Sequence, residues 1–257
     1  MLDIAKISRL MSHRTEVAIF PEIDSTNSEA KRRALSLSPG GELSPILLLA
    51  RSQTAGRGRM GRSFFSRADS GIFMSLLYFT RKPLSDAVSV TTAAAAIVAE
   101  EIEKVTSIPM RIKWVNDVYN DRGKVSGILV ESVAVSKDIF GVIVGIGINT
   151  GEDDFPDELQ GIAASIGNIS GKEEALIASV ADRLLSHASS PDERSYMVEY
   201  RKRFMLSGER VSIISCGEIL GEGTVVGVDD DGGLIYLPDG GEETVTVRSG
   251  EVSVRKK

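Results

Sequence analysis

Residues 111–131 read RIKWVNDVYNDRGKVSGILVE, and a further apolar run, IFGVIVGIGI at 139–148, follows closely. The alternation of β-branched and polar residues predicts strands at Met110–Val115, Lys124–Ser132 and Ile139–Ile148. Their connections are short and carry turn residues: Asn120, Asp121 and Gly123 in the first, Ser136 to Asp138 in the second. Such connections favour hairpins, and hairpins build an antiparallel sheet rather than a doubly wound parallel one.

Upstream, strands are predicted at Ile46–Ala50 and Ile72–Phe79, and a helix at Asp24–Leu37, where Thr26 and Glu29 have capping-box spacing and Ala30, Ala34 and Leu37 recur at helical intervals. A second helix, Asp86–Val105, is opened by Ser85 and Asp86 and closed before Pro109. Helices return at Lys172–Ser186 and at Glu193–Phe204, the latter with Tyr196, Tyr200 and Phe204 on one face. This order is α+β, a mixed and mainly antiparallel sheet with helices packed on it. After Leu206 the texture changes to short strands broken by DDDGG and PDGG turns: Arg210–Ser215, Thr224–Val228, Leu234–Leu237 and Thr244–Arg248. The expected division is a domain at 1–206 and a small SH3-like β-barrel at 207–257, which packs on the larger domain because a module of that size is only marginally stable alone.

The chain has 257 residues, 42% hydrophobic, with a formal net charge of -6. That material supports one large core and argues against a surface that tracks nucleic acid, which would need many phosphate-neutralising cations. The single cysteine, Cys216, cannot form an internal disulfide, and no paired Cys/His spacing suggests a structural metal. No uninterrupted apolar segment has membrane-spanning length, so the reading is a soluble, cytoplasmic protein.

Between the first helix and the second lies AGRGRMGR, Ala55–Arg62, with Arg67 just beyond. Its Gly56, Gly58 and Gly61 spell GxGxxG, yet SFFSRADSG after it does not open a helix, as a dinucleotide-binding turn requires. Walker A and kinase signatures are absent. A solvated basic loop is the plainer reading. The sharper one is a loop whose glycines let backbone approach a ligand while its arginines meet phosphate or carboxylate. Other motifs supply the remainder of such a site. Asn116 and Asp117 fall at a strand end and Lys124 at the start of the next, although Asn-Asp by itself is also ordinary turn chemistry. VIVGIGINTG then places Gly145, Gly147 and Asn149 at the end of an apolar strand.

Together, DSTN (Asp24–Asn27), QTAGRGRMGR (Gln53–Arg62), KWVND (Lys113–Asp117), GKVSGILVE (Gly123–Glu131) and GIGIN (Gly145–Asn149), in this order and followed by a β-rich tail, resemble the biotin protein ligases. The resemblance runs from about residue 18 to 255 and implies an ATP-dependent biotin–[acetyl-CoA-carboxylase] ligase. Such an enzyme activates biotin with ATP to biotinyl-5'-AMP and transfers biotin to one lysine of a biotin carboxyl carrier protein. On this resemblance Ser25, Thr26, Asn27 and Gln53 meet the ureido end of biotin, with Thr26 also capping its helix. Gly127 and Gly145 leave room for the ring, and Gly56 and Gly58 let the loop approach. Arg57, Arg59 and Arg62 hold carboxylate and phosphate, and the loop is mobile until ligand arrives. Lys124 contacts both the carboxylate and the α-phosphate, Phe64 packs toward the nucleotide, and Asn149 reads adenine. Trp114 is assigned to the core.

Biotin's carboxylate is ionised at neutral pH and needs no base, whereas the acceptor lysine must lose a proton before it attacks. Asp117 is therefore assigned to the second step, and Asn116 to positioning or metal contact. Mg2+ is expected with ATP, held mainly by phosphates and water. Many relatives carry Pro at the place of Val115, Trp at that of Phe64 and Arg at that of Met60. Only 23 residues precede DSTN, so a type without the amino-terminal DNA-binding domain is expected, as monomer or homodimer and without nucleic-acid or membrane partners. The alternatives are a non-catalytic biotin or adenylate sensor and, lacking its RRxSGGGAV loop, a lipoate ligase.

Overall fold

A seven-stranded sheet is built from β1 (Glu16–Phe20), β2 (Ile46–Ala50), β3 (Gly71–Thr80), β4 (Arg111–Lys113), β5 (Asp117–Tyr119), β6 (Lys124–Ser136) and β7 (Ile139–Asn149), of which β1 and β5 are not among the strands predicted from the sequence. The computed structural model describes residues 2–37, 43–68, 70–81, 83–84, 87–215, 218–248 and 251–254. The strand order is β1-β2-β3-β7-β6-β5-β4, with β1 and β2 parallel and the remaining pairs antiparallel. The sheet is thus mixed and mainly antiparallel, as predicted. The hairpin read from residues 111–131 contains one extra strand, β5, whose three residues are too few to show a period. Among the described residues five helices accompany the sheets: α1 (Ile4–Leu10), α2 (Thr26–Leu35), α3 (Ala87–Thr106), α4 (Glu173–Ser189) and α5 (Tyr196–Arg203).

Period-two alternation divides the core into two layers. Leu47, Leu49, Met74, Leu76, Val142, Val144, Ile146 and Ile148 point to the face covered by the long α3 and by α4 and α5. Ile46, Leu48, Leu77 and Ile143 point the other way and receive Ala30 and Ala34 of α2. The alanines keep α2 close to the sheet. Each fully buried Leu or Ile beneath it contributes on the order of 1.5–3 kcal/mol, enough to hold a ten-residue helix that would not persist alone.

Two local readings are corrected. Thr26 is not the cap of α2: Ser25 occupies that position without a side-chain cap bond, and Glu29 reaches Arg32 and Arg33 instead of closing a capping box. The carboxy-terminal strands β8 (Arg210–Ser215), β9 (Glu218–Val228), β10 (Leu234–Pro238), β11 (Val245–Val247) and β12 (Glu251–Val254) form an antiparallel sheet in the order β11-β10-β9-β8-β12. Its end strands are not paired with each other among the described residues, so no closed barrel is found. Val211, Ile213, Val225, Leu234 and Tyr236 of this sheet join the main core, and Trp114 Nε1 donates to Gly232 O at 2.8 Å across the junction. Trp114 is buried, as assigned. Cys216 and the helix-opening Ser85 and Asp86 lie outside the described residues. Among the described residues no helix is long and apolar enough to cross a membrane.

Candidate active site

The α2 face of the sheet loses its side chains where β6 and β7 meet. Even-numbered residues of β7 fill the core, so the odd-numbered Gly145 and Gly147 fall on the α2 face, and the register sets Gly127 opposite Gly147 and Leu129 opposite Gly145. On the other side β3 places Ser75 beside Gly145 and Phe73 beside Gly147. The result is a bare floor. It does not stand empty: a Cβ on Gly145 would come within 2.1 Å of Asn27 Oδ1, and one on Gly147 within 2.4 Å of the Phe64 ring. A Cβ on Gly127 would crowd Lys124 and Phe64, each at 3.2 Å. The room expected for a ligand ring above Gly127 and Gly145 is occupied here by the protein's own side chains.

Around this floor the start of α2 forms a buried polar cluster of Ser25, Thr26 and Asn27. Asn27 Nδ2 donates to Glu131 Oε2 at 2.8 Å, and the Ser75 hydroxyl donates to Asn27 Oδ1 at 2.6 Å and contacts Thr26 Oγ1 at 2.7 Å. Gln53 serves the helix end from a distant loop: its Oε1 accepts from Thr26 N and Thr26 Oγ1 at 2.8 and 3.2 Å, and its Nε2 donates to Ser66 Oγ at 2.9 Å. One orphan donor of the helix start, Thr26 N, is thereby satisfied without a side-chain cap from Ser25. The Asn27 amide, anchored at both ends, has a fixed orientation.

The glycine-arginine loop folds over this cluster. Phe64 N donates to Gly56 O and Gly58 N to Arg62 O, and Arg59–Gly61 form one 3-10 turn in which Met60 and Gly61 have φ of 54° and 75°. Gly56 has no space for a Cβ, which would meet Phe64 O and Ser66 Oγ at 2.5 Å, whereas Gly58 has ordinary clearance. Arg57 Nη2 lies 3.2 Å from Glu131 Oε1, and Arg59 Nη1 donates to Asn116 Oδ1 at 3.3 Å. Both arginines therefore rest on protein acceptors. Asn116 is fixed in turn, its Nδ2 donating to Ile128 O at 2.9 Å.

Lys124 and Asp117 meet at the opposite wall, with Nζ 2.7 Å from Asp117 Oδ1. The approach is off the axis of a hydrogen bond, so this is a charge contact and the buried Oδ1 retains its acceptor capacity. Two phenols stand near the carboxylate and stay protonated. Burial first, and the Asp117 charge second, push Tyr119 up to about 12. The same two effects raise Tyr200, which donates to Val115 O, well above the ordinary phenol range.

Three cavities converge here, and Phe64 and Lys124 line all three. The first, about 50 Å³, contains Ser25, Thr26, Asn27, Gln53, Arg57 and Arg59 in its wall. That is room for no more than a few waters and is well below the several hundred Å³ typical of a ligand pocket. The second, about 300 Å³, brings Arg59, Arg62, Lys113, Asn116 and Asp117 together. The third, about 760 Å³, is lined by Asn149 and Gly56 together with Phe65, Phe155, Leu159 and Ile162. Asn149 Nδ2 is committed to Ala164 O at 3.0 Å and Lys124 O at 3.3 Å, which leaves only its Oδ1 for an adenine contact.

Every site residue predicted from the sequence therefore lies on one of these connected cavities, although Asp117, Arg62, Gly56 and Asn149 lie outside the first. Sequence reasoning missed Glu131, Ser75, Ser66 and the 155–163 wall. A lone serine inside the apolar run GIFMSLLYFT was the available signal for Ser75. Among the described residues no cluster of three or more His, Cys, Asp or Glu could hold a metal.

A glycine floor, a fixed polar cluster and an arginine loop facing a lysine form one enclosed cationic cleft. The chain belongs to the Biotin/lipoate A/B protein ligase family, which matches residues 20–149, and residues 206–255 match the Biotin protein ligase C terminal domain. It is 31% identical over 241 residues to the biotin–[acetyl-CoA-carboxylase] ligase of Paracoccus denitrificans, covering 86% of this chain and 94% of that one. To the bifunctional ligase/repressor BirA of Bacillus spizizenii it is 41% identical over 153 residues, 59% of this chain and 46% of that one, so it spans about half the length of such relatives. Among solved structures, the biotin protein ligase from Aquifex aeolicus in complex with biotin and ATP superposes with a TM-score of 0.74 at 30% identity, covering 94% of this chain and 99% of that one.

Proposed function

We propose that the protein is a biotin protein ligase that joins biotin to ATP, releasing pyrophosphate, and passes the biotinyl group to a lysine of a biotin carboxyl carrier domain. The observation that carries this reading is the convergence of the Ser25–Asn27 and Gln53 cluster with Arg57, Arg59, Asn116 and Lys124 around one glycine-floored cleft. A match to the biotin ligase carboxy-terminal domain favours biotin over lipoate. In this reading the catalytic unit is 1–206, the tail 207–257 is its companion domain, and ATP and carrier are met in the cytoplasm.

In the first step a biotin carboxylate oxygen attacks the α-phosphorus, and the bond to the bridging oxygen breaks, its electron pair leaving on pyrophosphate. The carboxylate already carries its charge, so the residues act by alignment and by stabilising the anion at phosphorus. Arg57 and Arg59 exchange Glu131 and Asn116 for ligand oxygens, and Lys124 turns from Asp117 toward carboxylate and α-phosphate. Phe64 yields the floor of the cleft to the biotin ring. Lys124's departure frees Asp117, which orients the acceptor ammonium and accepts its proton before the amine attacks the biotinyl carbonyl and AMP leaves. Mg2+ fits as an ion held mostly by phosphate and water: Asp117 Oδ1 and Asn116 Oδ1 are the oxygen donors beside the cationic cleft. When bound, it neutralises phosphate charge.

The test is incubation with biotin, MgATP and a carrier domain, scored by mass for biotinyl addition. Asp117→Asn should still form biotinyl-AMP and transfer it at least about 100-fold more slowly, the scale of a lost general base. Lys124→Ala should lose adenylate formation. Equal loss of the first step in both variants would refute the division of roles, and biotin binding without addition by the wild-type chain would refute the ligase reading.

A further inference from the structure

We infer that Lys113 is the ammonium that seats the β- and γ-phosphates of ATP and holds pyrophosphate as it leaves, an inference that rests on the ligase reading of the cleft. Lys113 lies in the KWVND stretch, where the motif drew attention to Asn116 and Asp117. In the antiparallel β4–β5 pair it sits directly opposite Asp117, so the two side chains share a face, while Ile112 turns into the core. Lys113 lines the 300 Å³ cavity together with Arg59, Arg62 and Lys124.

Its neighbours are spoken for. Lys124 contacts Asp117, and Arg59 binds Asn116. Lys113 is half-buried and its side chain makes no hydrogen bond or ion pair with any described residue, although Asp117 stands across from it in the strand pair. A half-buried ammonium without a partner is costly to keep, and beside a site that handles a triphosphate its natural partner is an anion. Bond accounting says which anion. The broken Pα–O bond delivers its electron pair to pyrophosphate, so charge accumulates on the side of the α-phosphorus away from the carboxylate. Carboxylate and α-phosphate belong to the first cavity, where Lys124 and Arg57 lie, and the second cavity adjoins it through Gly58, Arg59, Asn116 and Lys124. The leaving group therefore exits toward Lys113.

The experiment measures binding of inorganic pyrophosphate by calorimetry, the KM for ATP, and transfer from chemically supplied biotinyl-AMP to a carrier domain. Wild type is compared with Lys113→Met and Lys113→Arg. Lys113→Met should weaken pyrophosphate binding about tenfold or more, the scale of a charged hydrogen bond, and raise the KM for ATP, while transfer from supplied biotinyl-AMP keeps the wild-type rate. Lys113→Arg should restore most of the pyrophosphate affinity. Equal pyrophosphate affinity in wild type and Lys113→Met would overturn the inference, as would a transfer rate that falls as far as adenylation. Pyrophosphate binding that depends on Lys113, in a wild-type chain that forms no biotinyl-AMP, would keep the phosphate seat and sink the ligase reading instead.

Discussion

Substituting Gly145 by alanine tests the packing on which the cleft depends, and the cost follows from distances. The new Cβ would lie 2.1 Å from Asn27 Oδ1, 2.8 Å from its Cγ and 2.9 Å from its Nδ2, so the amide must retreat by roughly 1 Å to reach ordinary contact. It cannot do so without losing the 2.6 Å bond from Ser75 and the 2.8 Å bond to the Glu131 carboxylate. One neutral and one charge-assisted hydrogen bond are together worth about 2–4 kcal/mol. For a chain of this size that lowers Tm by roughly 5–15 °C. Thermal and urea unfolding of Gly145→Ala measure the loss, and the same substitution in an Asn27→Ala background isolates its cause. There the methyl occupies the space the amide left, and its cost should fall below about 1 kcal/mol, a coupling within the range seen for touching residues. Equal cost in both backgrounds, or wild-type stability in the single variant, would refute the reasoning.

Two further outcomes follow from the ion pairs. Glu131→Gln keeps an acceptor for Asn27 but removes the counter-charge of Arg57. Trypsin cleavage at Arg57, Arg59 and Arg62 of the ligand-free chain should quicken by up to about fivefold, since an exposed pair is worth at most about 1 kcal/mol, and biotin with ATP should slow it in both proteins. An unchanged ligand-free rate would show that Glu131 does not restrain the loop. Asp24 accepts two hydrogen bonds from Arg32, which with the Ser25 N–H hold its carboxyl down to about 2. Its folded pKa lies below the unfolded value near 3.8, so the stabilisation is present above that pH and is lost as pH falls from about 4 to about 2. Acid titration of stability in Asp24→Asn should lose part of the wild-type decline in that window, and an identical curve would assign the acid limb to other groups.

The long elements were legible because burial on one face writes a period into the sequence. Ile46–Ala50 and Arg210–Ser215 are observed with the bounds read from the sequence, and VIVGIGIN shows directly why the core and the cleft lie on opposite sides of one strand. Short or peripheral elements carried too few residues to show a period: α1, seven residues capped by Asp3, the edge strand β1, and β5, three residues between two asparagines. In the site, the motifs located the residues but not their present partners. Nothing local to Arg57 names Glu131, which lies far along the chain on β6 and meets it only in the folded sheet. Thr26 misled for the same reason: its spacing to Glu29 suits a cap, while the donor that matters is satisfied by Gln53, 27 residues away.

The glycines divide by what they make possible. Gly56 is closed in by its own loop, and Gly61 supplies a positive φ, so these two shape AGRGRMGR whatever it covers. Gly127, Gly145 and Gly147 instead clear a patch of sheet that Lys124, Asn27 and Phe64 occupy. Of these, Asn27 is tied at both ends of its amide, whereas Phe64 makes one edge-on ring contact with Phe73 at 6.4 Å and Lys124 one charge contact. The cleft can therefore enlarge at the Phe64 and Lys124 side and not at the Asn27 side. A ligand that enters must fit its polar head to a preset cluster and displace the ring and the ammonium with its body and its anionic end, which is the division of chemistry that biotin presents.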